Sequence, residues 1–324
     1  MNSDMDPSWE GIDMTGVLGP LYWGTVASLI LSGITIVQAY MYFPSKDRLL
    51  VQATAAMMIL LDLISTGLVA EGIYSYVIPN FGSIVPLNSL TPVLAGECGI
   101  GACIVLLSQL YFVWQIYIVT SKGSMKYLIP GVVIFFAVIG FVTGIGCAVV
   151  MVKEKHHILM NRSRMFNIFA GLTKSCAAVA DILATAALCF HLGSSRNGIK
   201  ATDNMLKYLI QLVIQRGLLV AIIQTVVVVL FFGTESRLYW IAVHVNVTRL
   251  YANTFFAMLN GRNHLKKRNT FVTMNSITFA ESGAIGSKHT RFMSSTHPDN
   301  DQNLDESKNV AIVNIDKTVT VSDI

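Results

Sequence analysis

An all-α membrane protein, a bundle of seven spanning helices with its N-terminus outside and its C-terminus in the cytoplasm, follows from three features of the sequence. The first is composition: of 324 residues, 53% are apolar and 13% charged, and the mean hydropathy is +0.57. Soluble domains carry about 25% charged residues. The second is a series of apolar runs, each near the roughly 20 residues that cross a bilayer as a helix. The third is the gathering of Lys and Arg in alternate links between those runs. The lipid bilayer is therefore the expected partner. A net charge of +4, small and scattered, does not point to nucleic acid.

The runs are Val17–Phe43, Leu49–Ile73, Val93–Val119, Tyr127–Val152, Asn167–Leu192, Leu206–Phe232 and Leu238–Leu259. Asp4, Asp6, Glu10 and Asp13 precede the first, where a secretory signal would be basic, so that run is expected to direct insertion itself. Breaker residues without Lys or Arg, from Pro79-Asn80 to Thr91-Pro92, separate the second from the third. The third ends Trp114-Gln115-Ile116-Tyr117. The fourth holds no charged residue and carries Gly140-Phe141-Val142-Thr143-Gly144, either a face for close helix packing or a lipid-facing helix with chance glycines. On the fifth, Lys174, Ala177, Ala178, Asp181, Ala184 and Thr185 follow steps of three and four and share one stripe. The sixth stacks Gln211 and Gln215 beside Arg216, and the seventh aligns Asn246, Arg249, Asn253 and Asn260. Spans two, five, six and seven are expected to turn these polar faces to a common interior.

Orientation follows from the basic residues. With the N-terminus outside, Lys46, Arg48, Lys122, Lys126, Arg196, Lys200, Lys207, Arg262, Lys266, Lys267 and Arg268 fall in the cytoplasm, against Lys153, Lys155, Arg162, Arg164 and Arg237 outside. The glycosylation sequon at Asn161, in the fourth link, fits the same orientation. The chain then divides into a short outer segment (1–15), a helical domain (16–262) and a tail (263–324) rich in Ser, Thr, Asn and Asp, expected to be disordered and cytoplasmic and to meet a cytoplasmic partner. Cys98, Cys103, Cys147, Cys176 and Cys189 all fall in or beside spans, so no structural disulfide is expected.

Charges inside the membrane are the best functional markers, because each costs roughly 2.5–3.5 kcal/mol at the bilayer centre even on the lenient insertion scale. They form two layers. Asp62, Asp181, Arg216 and Arg249, with Asn253 beside them, make an inner polar site. Glu71, Glu97, Lys174 and His244 lie nearer the outer face. The inner layer is read either as pairing that fixes helix register or as part of a functional site. The outer layer, opening to the exterior, is the candidate ligand or pH site.

Several stretches resemble a known family. They include Gln38-Ala39-Tyr40-Met41-Tyr42-Phe43, Ala180-Asp181-Ile182-Leu183, Ser195-Arg196-Asn197-Gly198 and Leu250-Tyr251-Ala252-Asn253-Thr254 to Leu259-Asn260-Gly261-Arg262. The chain is similar to a large seven-span membrane family of basidiomycete fungi with a domain of unknown function, DUF6534, most specifically over 177–262. The resemblance implies a fungal multi-pass protein and no established biochemistry. Gln115 and Arg216 depart from the family pattern.

Two functions are expected. One is a receptor-like seven-span protein of the plasma membrane, or alternatively an endomembrane, that senses a small ligand. It lacks an Asp-Arg-Tyr-like switch after the third span, an Asn-Pro-x-x-Tyr in the seventh, and a lysine there for retinal. The alternative is a proton-linked transporter or channel using Asp62, Asp181 and His244. No nucleophile–base or metal-ligand pattern is present, so neither enzyme, cofactor nor metal is expected.

Overall fold

The computed structural model describes residues 14–79, 91–120, 125–153, 163–194, 200–234 and 239–262. The chain divides into two units, Met1–Val272 and Thr273–Ile324, and every described residue belongs to the first. The Asn161 sequon, the tail and most of the 1–15 segment lie outside the described residues.

Seven helices and no strand occur among the described residues. They are α1 (Met14–Tyr42), α2 (Leu49–Val77), α3 (Pro92–Val119), α4 (Met125–Lys153), α5 (Arg164–Ser194), α6 (Lys200–Gly233) and α7 (239–262). Their ends agree with the sequence runs to within a few residues, except that α6 begins earlier, at Lys200. The first six contain stretches long and apolar enough to cross a membrane. The seventh helix is not among these six. It carries His244, Arg249, Arg262 and three asparagines, which lower its hydropathy.

Consecutive helices from α1 to α6 pack against one another, α3 also packs against α5, and α6 meets α7 through Gln224–Tyr251 and Phe231–Trp240. One end of the bundle, where α1 begins, is closed by a cluster drawn from the starts of α1, α3, α5 and α7 and the ends of α2, α4 and α6. It includes Leu21, Tyr76, Leu94, Met151, Phe166, Phe231 and Trp240. We call this the near end. The far half is filled by a larger cluster with Met58, Phe112, Ile116, Leu188, Phe255, Phe256 and Leu259 at its heart. Tyr111 and Phe255 meet there edge to face, with ring centroids 4.9 Å apart.

The outward faces are apolar. On α4, Phe135, Val138, Val142 and Val149 are exposed, while Val133, Ala137, Gly140, Gly144, Cys147 and Met151 form the buried stripe. Gly140 and Gly144 lie against Thr173, Cys176 and Ala177 of α5, so the small-residue pattern is a packing face. By contrast, α7 has no exposed residue from 239 to 262. Helices surround it.

Asparagines fix how α7 lies against α1. Asn246, Asn253 and Asn260 donate through Nδ2 to the backbone carbonyls of Gly24, Leu31 and Gln38, at 2.9, 2.9 and 2.8 Å. Both sets are spaced by seven and ascend together. Therefore α1 and α7 run parallel, in the register of a heptad seam. Gly24 allows the approach: a Cβ there would stand 2.6 Å from the Ala242 Cα. At the far end, Arg262 on α7 pairs with Asp47 beyond α1 at 2.6 Å.

Candidate functional site

The inner charged residues form two buried ion pairs. Arg249 on α7 and Asp62 on α2 are both fully buried, with Nη1 2.9 Å from Oδ1. The guanidinium spends every nitrogen: Nε donates to Ser28 Oγ, Nη1 also to the Asp62 carbonyl, and Nη2 to Ser65 Oγ. The second carboxylate oxygen of Asp62 accepts from Ser32 at 2.9 Å. Arg216 on α6 pairs with Asp181 on α5 at 3.0 Å, donates to Ser108 Oγ at 3.0 Å, and lies 3.7 Å over the Phe112 ring. Tyr251 on α7 donates its hydroxyl proton to Asp181, and Gln224 Nε2 donates to the Tyr251 oxygen at 3.0 Å. Thus α7 touches both pairs. Desolvation of such pairs consumes most of their attraction, but removing one partner strands a charge.

Asn253 sits one turn from Arg249, donating to the Arg249 and Leu31 carbonyls. It holds α7 to α1 and does not join the ion pairs.

Three of the four outer residues meet. Glu97 (α3), Lys174 (α5) and His244 (α7) line a cavity of about 70 Å³ set between α3, α4, α5, α6 and α7. Cys98, Cys147, Thr248 and Gln224 contribute further polar atoms, and Leu94, Phe231 and Trp240 close it towards the near end. The Cys98 thiol lies against Cys147 and the His244 imidazole. All five cysteines are free. Glu97 is only 1% exposed. One of its oxygens accepts from Ser65 at 3.2 Å, and the other lies 3.8 Å from His244 Nε2.

Two polar chains lead inward from this cavity. One runs Glu97–Ser65–Arg249–Asp62–Ser32. The other runs Gln224–Tyr251–Asp181–Arg216–Ser108. Both end against the packed far half.

Two expectations are corrected. Glu71 does not join the outer layer. It is exposed, accepting from Ser75. It lies nine residues beyond Asp62, about two and a half turns at 3.6 residues per turn, and so on the opposite side of α2. Gln211 and Gln215 are exposed as well, because the buried stripe of α6 runs through Val213, Arg216, Val220, Gln224 and Val227. Gln224, again nine residues past Gln215, is the amide that reaches inside. Ser65, Gln224 and Tyr251 were not among the residues expected at the site. An amide in the apolar run from Leu218 to Phe232 was the available signal for Gln224.

Long apolar helices packed around fully buried ion pairs define a multi-pass integral membrane protein, with the bilayer as its surroundings. Within it, residues 177–264 match the model of a protein family described as "Family of unknown function (DUF6534)". No curated protein and no solved structure matches the chain. The matched segment covers most of α5, α6 and α7, which together hold Asp181, Arg216, Gln224, His244 and Arg249.

Proposed function

We propose that this is a seven-span, receptor-like protein of the plasma membrane that senses a small ligand from outside. The observation that carries the reading is the cavity with Glu97, Lys174 and His244 on its walls, placed in the near half above a far half filled with aromatic and aliphatic side chains. A site capped by Leu94, Phe231 and Trp240 at the near end and backed by the packed far half suits sensing better than passage. The parallel register of α1 and α7 supports a seventh crossing, since a helix alongside α1 from Gly24 to Gln38 traverses the same depth. On the basic-residue count the near end faces outside and the far end the cytoplasm. The reading includes no catalytic step. The polar chains beneath the cavity give a bound ligand a route to the ion pairs, and so to the relative positions of α2, α5, α6 and α7.

The alternative, a proton-linked transporter or channel, is favoured by the acids Asp62 and Asp181 within those chains. Purified protein in liposomes, with a proton-sensitive dye inside and a pH step outside, separates the two. Flux no faster than in empty vesicles is the expected result. Flux that disappears in Asp181→Asn and Asp62→Asn would overturn the receptor-like reading.

A further inference from the structure

We infer that the cavity binds a compact zwitterion of the small α-amino acid class, its ammonium on Glu97 and its carboxylate on Lys174. The inference rests on the ligand-sensing reading and names the ligand class for that site. The cavity presents one acid, Glu97, and two basic side chains, Lys174 and His244, and the His244 Nε2 stands 3.8 Å from Glu97 Oε2, beyond hydrogen-bond reach. Glu97 Oε2 is buried and has no hydrogen-bond partner among the described residues. Gln224 Oε1, on the α6 side, is a second buried acceptor without one. Lys174, on α5, lines the same space and makes no ion pair within 4.0 Å among the described residues. Buried polar groups are normally paired, and an unpaired one marks a missing partner.

The chemistry of that partner is narrow. A lone cation would satisfy Glu97 and Gln224 but repel Lys174. A lone anion would do the reverse. An uncharged apolar molecule would leave all three unmatched. An ammonium offers donors only and a carboxylate acceptors only, so a molecule carrying both ends meets both walls. Size limits it further. The cavity is about 70 Å³, less than half the roughly 150 Å³ that admits benzene. The remaining walls are mostly apolar, from Leu94, Val105, Phe231 and Trp240. A short or absent side chain is what they leave room for.

The test is binding of radiolabelled glycine to the full chain purified in detergent, with unlabelled glycine, methylammonium and acetate as competitors. Saturable binding displaced by glycine, and by neither half-ligand at the same concentration, is expected. Glu97→Gln and Lys174→Met should each weaken it by about tenfold or more, the worth of one charge-assisted contact. Absence of saturable glycine binding overturns the inference. So does displacement by methylammonium or acetate alone, which would leave a small-ligand site for a single charge. If either variant misfolds, the competitor series on the native chain decides alone. Proton flux in the liposome experiment would remove the underlying reading instead, whatever glycine does.

Discussion

The fourth and seventh helices cross the same bundle and are built on opposite rules. α4 has no charged residue between Lys126 and Lys153, turns a full apolar face outward, and meets α5 through Gly140 and Gly144. α7 has buried and half-buried residues only, carries two arginines and three asparagines, and holds α1, α2 and α5 by hydrogen bonds. The difference teaches what hydropathy measures. It reports the surface a helix shows to lipid, not its position in the bundle. A helix sheathed by protein can be polar, provided each polar group finds a partner.

That comparison is broken most directly at Asp62. Asp62→Leu leaves Arg249 fully buried with no carboxylate, and a guanidinium cannot shed its proton. The expected loss is about 3–5 kcal/mol of stability, read as a large drop in the unfolding midpoint in detergent. A parent-like midpoint would show that α7 does not depend on its charge pair.

Asp181→Asn is the next largest effect. The amide oxygen still accepts from Tyr251, but Arg216 loses its counter-charge while keeping Ser108 and the Phe112 face. We expect a loss of about 2–3 kcal/mol, the scale of a hydrogen bond to a charged group. The double substitution Asp181→Asn with Arg216→Met should recover part of it. No recovery would mean that Asp181 acts mainly through Tyr251.

How much of this was legible beforehand depends on the kind of residue. Seven helices and the depth of Asp62, Asp181, Arg216 and Arg249 could be read from the chain, because a charge in an apolar run is conspicuous. Their pairing could not, since it depends on the rotation of four helices about their axes. Glu71, one face away from Asp62, shows how half a turn decides between core and surface. Hydroxyls were less legible still. Thr25, Thr35 and Thr54 donate to carbonyls one turn back in their own helices, whereas Ser32 and Ser65 reach across to another. The sequence looks alike in both cases.

The asparagine seam sharpens the comparison at smaller cost. Asn253→Ala removes one bond from α7 to the Leu31 carbonyl and leaves those of Asn246 and Asn260 in place. Bonds of this kind between membrane helices average about 0.6 kcal/mol and reach about 1.7, and the loss should fall in that range. Replacing all three asparagines by alanine should cost more than the sum of the singles if the seam also sets register. Strict additivity of the three midpoints would reduce it to independent contacts.

The smallest effect belongs to α4. Thr143 accepts from Thr173 at 3.0 Å, but its own proton goes back to the Ile139 carbonyl at 2.8 Å, and the Thr173 hydroxyl is also 2.7 Å from the Phe169 carbonyl. Thr143→Ala therefore strands no donor: Thr173 falls back on its own helix. The backbone contact through Gly140 and Gly144 is untouched. The loss should be less than about 0.5 kcal/mol, below the roughly 0.6 average for a bond between membrane helices, because the bond removed is one that Thr173 already shares with its own helix. A loss as large as that of Asp181→Asn would mean that α4 relies on polar contacts as α7 does, and the contrast between the two helices would fall.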